Sequence, residues 1–199
     1  MFKYKKFNFI FIFVFLTFIP MIFKGYIVFI LPQYILFGVL AMSLAFIWGN
    51  AGILSFGQAS FFAIGGYTFG LLIKFFPEIN HFFLGSLIVI FLGFVVAVIT
   101  SYFLFSAGVK ATYFVLATLA LSILTEQLAV TKSTLTGGWN GLFVDRINIK
   151  VGDFTLLDLS GDVKFFYLIL FISLITYLIL NYLENNKIGK VLRGILDTP

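Results

Sequence analysis

Glu126 is the only acidic residue inside an apolar run, and Gln58, between Ser55 and Ser60, sets an amide and two hydroxyls into another. A carboxylate in such surroundings carries ions or protons, or it sits at the edge where water reaches it. Glu126 lies roughly 7–8 Å along a helix from Thr131, the last residue of its run. It is therefore either an interfacial carboxylate or a polar group at the outer mouth of a path. Gln58, Ser55 and Ser60 do not titrate, but they can hydrogen-bond a passing solute. Gly52 and Gly57 loosen the backbone beside them. Polar groups and irregular backbone at membrane depth are tolerated only against protein or a water-filled path. These six residues, Gly52, Ser55, Gly57, Gln58, Ser60 and Glu126, are the candidates for a translocation path.

Other chemistry lacks its residues. The chain has no cysteine and one histidine, His81, so thiolate zinc sites, disulfides and a histidine metal cluster are excluded. It has no paired carboxylates and no Ser/His/Asp set, and no catalytic or metal-binding residue is assigned. It has no Gly-x-x-x-x-Gly-Lys-Ser/Thr loop, so any ATP must bind elsewhere. The net charge of +5 is spread out, with no basic stripe for nucleic acid.

Positioning those groups falls to membrane helices. Residues are 61% hydrophobic and 11% charged, against about 25% charged in a soluble domain. Residues 25–73 contain no Asp, Glu, Lys or Arg. One helix of that length, at ~1.5 Å per residue, would be more than twice the ~30 Å hydrocarbon core. Two crossings must share the stretch, with a small-residue turn at Gly49-Asn50-Ala51-Gly52. Charge-free runs predict an all-α, polytopic bundle of about six crossings in one domain, near 7–23, 27–47, 53–75, 82–106, 111–131 and 165–183. An outer loop at 132–164 and a tail at 184–199 complete it. The N-terminal run resembles a signal peptide, but Pro20-Met21-Ile22-Phe23-Lys24 has no small-residue cleavage site, so it reads as an uncleaved helix.

Six crossings put both termini on one side. That side holds Lys3, Lys5, Lys6, Lys110, Lys187, Lys190 and Arg193. The other holds Lys24, Lys74, Lys132, Arg146, Lys150 and Lys164, partly offset by Asp145, Asp153, Asp158 and Asp162. The balance places both termini in the cytoplasm.

Three further patterns stand out. In the third crossing Ser55, Ala59 and Ala63 recur every four residues, as do Gly66 and Gly70, a spacing that lets helices approach closely in lipid. The outer loop carries Thr136-Gly137-Gly138-Trp139-Asn140-Gly141, which predicts a tight turn with positive φ. In the tail, Ile188, Val191, Leu192, Ile195 and Leu196 form one apolar stripe, with Lys187, Lys190, Arg193 and Asp197 off it. Such a helix lies on the inner leaflet or docks into a cytoplasmic partner.

The run Trp48-Gly49-Asn50-Ala51-Gly52-Ile53-Leu54-Ser55-Phe56-Gly57-Gln58-Ala59-Ser60-Phe61-Phe62-Ala63-Ile64-Gly65-Gly66-Tyr67 resembles the signature of permease subunits of branched-chain amino acid and urea ABC importers. Thr112-Tyr113-Phe114-Val115-Leu116-Ala117-Thr118-Leu119-Ala120 resembles the start of a later helix of that family. Leu135-Thr136-Gly137-Gly138-Trp139-Asn140-Gly141-Leu142 is similar to its outer-loop motif, and Ile188-Gly189-Lys190-Val191-Leu192-Arg193-Gly194-Ile195 to its cytoplasmic segment. Four motifs in the family's order make the match specific.

The resemblance implies a passive pathway subunit in a bacterial inner membrane, moving a small polar solute by alternating access. The solute would be a branched-chain amino acid, or urea or a short amide, with a lean towards the urea type. Implied partners are a second related permease, two ATPase subunits carrying Mg-ATP and an extracytoplasmic solute-binding protein, alongside membrane lipid. This chain would hold no cofactor itself. The outer-loop motif would be Thr136, Gly137, Gly138, Asn140 and Gly141. The ATPase-docking residues would be Ile188, Gly189, Lys190, Leu192, Arg193 and Ile195. Family permeases usually continue past this segment, so a truncated or split product, and with it an inactive remnant, is one expectation. An ion-coupled transporter or channel subunit using Glu126 is the other alternative.

Overall fold

The computed structural model describes residues 6–76, 81–106, 111–144, 149–151, 154–157, 159 and 161–196. Lys3, Lys5, Lys110, Asp145, Arg146, Asp153, Asp158 and Asp197, used above in reading charge, lie outside the described residues. Among the described residues, eight α-helices follow in order: α1 Lys6–Ile22, α2 Tyr26–Ala51, α3 Gln58–Phe75, α4 Ser86–Ser106, α5 Ala111–Thr131, α6 Ser133–Thr136, α7 Asp162–Asn185 and α8 Lys187–Leu196. A π-helical turn, His81–Gly85, leads into α4. Helices satisfy every internal backbone group without water, which lipid requires.

Among the described residues, four segments are long and apolar enough to cross a membrane: Tyr26–Ala51, Phe83–Leu104, Tyr113–Thr131 and Asp162–Asn185. The described apolar part of α1, Phe11–Ile22, is shorter. In α3 the apolar run is diluted by Gln58, Gly65, Gly66, Gly70 and Lys74. The outer loop is not wholly irregular, because β1 Ile149–Val151 pairs antiparallel with β2 Phe154–Leu157.

The tightest packing joins α1, α2 and α7. Val28, Phe166 and Leu170 form a buried cluster, ringed by Phe13, Leu16, Leu31, Ile35 and Tyr167. The Tyr167 hydroxyl donates to the Thr17 carbonyl at 3.1 Å. Val28 meets Phe166 near the start of both helices, and the last turn of α2 meets α8 just beyond the end of α7. So α2 and α7 run parallel, with α1 antiparallel to both. The start of α1, the end of α2 and the tail helix therefore share one end of the bundle.

Elsewhere the apolar surface points outwards. On α4, Leu87, Ile90, Phe91, Phe94, Val98 and Tyr102 are exposed. An unpaired chain with its large apolar side chains outside is built for lipid and neighbouring helices, not for water.

The sequence placed the break between the second and third crossings at 49–52, and the structure moves it. Gly49, Asn50 and Ala51 complete α2. Gly52 ends the helix at φ 65°, its N–H donating to the Trp48 carbonyl at 3.0 Å. Only glycine adopts that left-handed geometry without strain. The non-helical segment is 52–57, and Ser55 lies in it rather than on a helical stripe. The remaining small residues of α3 divide. A Cβ on Gly70 would stand 2.7 Å from Leu142 Cδ2, and one on Gly65 3.5 Å from Val89 Cγ1. Ala59 and Gly66 are exposed.

Candidate translocation site

The 52–57 segment enters the bundle as non-helical backbone and needs partners for its polar groups. Helix α5 provides them. The Phe56 N–H donates to Thr118 Oγ1 at 3.2 Å, and Ser122 Oγ donates to the Phe56 carbonyl at 2.6 Å. Thr118 Oγ1 in turn donates to the Val115 carbonyl at 3.0 Å, and Ser60 Oγ donates to Ser122 Oγ at 3.2 Å. The Gly57 N–H reaches Ser55 Oγ at 3.3 Å. Gly57 is buried, with Thr118 Cβ 3.6 Å from where its own Cβ would stand. Two hydroxyls on consecutive turns of one helix thus hold both polar groups of one peptide residue.

Depth follows from counting along α5. Thr118 and Ser122 stand about 10 and 16 Å from Ala111 on a helix about 31 Å long. The unwound backbone therefore lies near the middle of the bundle. Helix α3 begins there, and Gly70 lies about 15 Å beyond Ser60 towards the outer loop.

Four of the sequence candidates, Ser55, Gly57, Gln58 and Ser60, gather at this point, and Gly52 opens the segment. Ser60 is buried, and the Gln58 Oε1 atom is buried with no hydrogen-bond partner among the described residues. Leaving a buried acceptor unmade costs about 1–3 kcal/mol. Glu126 stands one turn beyond Ser122 on α5, exposed on this chain, and is not joined to the cluster. Thr118 and Ser122 were missed by the sequence reading. Their spacing with Glu126, four residues each, was the available signal.

The outer-loop motif forms the turn its glycines imply. Gly137, Gly138 and Gly141 have φ of 80°, 60° and 74°. A Cβ on Gly137 would collide with the Gly141 carbonyl oxygen. The buried Thr136 hydroxyl reaches the Ala129 and Lys132 carbonyls and accepts from the Gly138 N–H at 3.2 Å. The Asn140 N–H donates to the Gly137 carbonyl, while its side chain and Trp139 are exposed. The turn folds back on the end of α5 and brings Leu142 and Val144 onto Gly70 of α3. It braces the outer end of the helix that begins at the break.

The tail is helical as expected, but its residues divide differently. Gly189 is buried, and a Cβ there would collide with the Glu184 carbonyl. Arg193, expected to face a partner, is exposed but is also bonded within the chain. Its Nε donates to Asn50 Oδ1 at 3.1 Å and a terminal nitrogen donates to the Glu184 carbonyl at 2.7 Å. Lys187, Lys190, Val191 and Gly194 are exposed, and Leu192 is half-buried. The side chains of Ile188 and Ile195 lie outside the described residues.

Residues 26–199 match the family described as branched-chain amino acid transport system / permease component. Searches of curated proteins and of solved structures each found no significant match. The match covers the α2–α3 break, its α5 partners, the outer-loop turn and the tail helix, and begins after α1. The chain belongs to the family of branched-chain amino acid transport permease components.

Proposed function

We propose that this chain forms one half of the path of an ATP-driven importer in a bacterial inner membrane, with both termini in the cytoplasm. The observation that carries this reading is the unwound 52–57 segment, held at mid-depth by Thr118 and Ser122. Irregular backbone at that depth belongs beside a path rather than against lipid. The hydroxyls of Ser55, Ser60, Thr118 and Ser122 and the amide of Gln58 can exchange hydrogen bonds with a small polar solute. None of them carries charge, so the site suits a neutral or zwitterionic solute. Branched-chain amino acids fit the family description, and urea or a short amide fits the same chemistry.

The chain supplies a path and no catalysis. Energy would come from Mg-ATP on two ATPase subunits below, with a second related permease alongside and an extracytoplasmic binding protein delivering solute. On α8 Lys187, Lys190, Val191 and Gly194 are exposed, as is Arg193, whose guanidinium is held by Asn50 and Glu184. Two cations flanking an apolar contact suit a groove with acidic edges on an ATPase. Lys187, Lys190 and Val191 carry most of this docking surface, with Arg193 at its edge.

The test is purification of the chain from its native membrane in mild detergent, with mass spectrometry of everything bound. Co-purifying ATPases and a second permease are expected. A chain that purifies alone or with copies of itself contradicts the importer reading and turns attention to ion coupling through Glu126.

A further inference from the structure

The tail helix is joined to the last turn of α2, just before the break, by one side-chain contact whose geometry is over-determined. Asn50 is 4% exposed and lies in the last turn of α2, two residues before Gly52 turns the chain out of the helix. Its Nδ2 donates to the Phe46 carbonyl at 2.9 Å, which fixes the amide with Oδ1 facing away from its own helix. Arg193 has only donors and meets that oxygen with Nε. Rotating the amide by half a turn would oppose donor to donor and acceptor to acceptor, so the pair fits one way round. The second Arg193 bond, to the Glu184 carbonyl, ties the same guanidinium to the last turn of α7.

Helix α8 is thereby held at two points. The first is the joint at Asn186, where the backbone turns extended between α7 and α8 and Gly189 lies against Glu184. The second is Arg193. Displacing α8 about the first point moves the second, and the second pulls on Asn50. Beyond Gly52 the chain is non-helical until Gln58, and Phe56 is fastened to α5.

We infer that the Arg193–Asn50 hydrogen bond couples α8 to the 52–57 segment, making both residues positioning residues for transport. This rests on the importer reading in requiring an ATPase that moves α8. A two-site link of this kind is a coupling free energy, and coupling of this class typically changes an equilibrium by about 5- to 150-fold.

The chain has no native cysteine, so Ile53→Cys gives one thiol inside the break. The assembled complex in lipid vesicles is labelled with a maleimide, with and without ATP, and the ratio of the two rates is read. Expected is an ATP-dependent change in that ratio for Ile53→Cys alone. Adding Arg193→Gln or Asn50→Ala reduces the change at least about fivefold. Combining the two produces no further loss, and Asn50→Asp, which keeps an acceptor for Arg193, retains the change. Co-purified ATPase and thermal unfolding are measured on each variant, so that loss of assembly is not read as loss of coupling. ATPase bound with an unchanged ratio in the single variants, or additive losses in the double variant, overturns the link alone. A complex with no ATPase, and no ATP response in Ile53→Cys, overturns the link together with the importer reading.

Discussion

Arg193 Nε lies 3.1 Å from Asn50 Oδ1, joining residues 143 positions apart in the chain. The contact brings the tail helix to the turn where α2 ends. It also divides α8: Arg193 is bonded within the chain, while the exposed Lys187, Lys190 and Val191 form the proposed docking face.

The docking face follows from this division. Lys190→Glu with Val191→Asp should release most of the ATPase on purification, because both side chains are exposed and one substitution reverses charge. Arg193→Gln should leave the ATPase bound. The check is the ATPase-to-permease ratio in the purified complex; loss of the ATPase by Arg193→Gln alone would return that residue to the interface.

Thr118→Val keeps the shape of the side chain and removes the acceptor for the Phe56 N–H. An orphaned buried donor costs about 1–3 kcal/mol, so unfolding in detergent should occur at lower temperature. Uptake should fall further than stability, since the 52–57 segment loses its fixed position. Ser122→Ala should act in the same direction through the Phe56 carbonyl. Wild-type uptake in both variants would remove the segment from the path.

Gln58→Leu discards a buried acceptor that has no partner among the described residues. Replacing an unsatisfied polar group with an apolar one of similar volume should leave thermal stability equal or higher. Solute uptake should nonetheless fall. A variant with unaltered uptake would show that the amide serves packing.

The outer turn gives a stability test far from the path. Gly137→Ala forces a side chain into a left-handed backbone and onto the Gly141 carbonyl. A loss of a few kcal/mol, on the order of 1–3 from the backbone alone, is expected as poor expression or early unfolding. Gly141→Ala has open space and should be milder, because only its φ is strained.

Membrane class and the helical bundle were legible because apolar runs and their charge-free lengths are read directly from residue type. The outer turn was legible for the same kind of reason, since Gly137, Gly138 and Gly141 in so short a stretch leave few other conformations. The break was only half legible. Composition marks where a helix could stop, but Asn50 and Ala51 remain helical and the left-handed turn falls at Gly52. Apolar patterning also gives no warning that 53–57 leaves the helix, since Ile53, Leu54 and Phe56 are as apolar as a crossing. The segment is held by Thr118 and Ser122, more than sixty residues away. Arg193 shows the same limit, because its position off the apolar stripe says which side of α8 it occupies and nothing about what waits there.

The central claim is that the 52–57 segment lines a path driven by ATP. It is tested most directly by uptake of labelled leucine and labelled urea into vesicles holding the complete complex, with ATP inside the lumen facing the ATPases and an uncoupler present. The account predicts uptake of one of these solutes that needs ATP, ignores the uncoupler and falls with Thr118→Val. Uptake that persists without ATP and collapses with the uncoupler or with Glu126→Gln would contradict it.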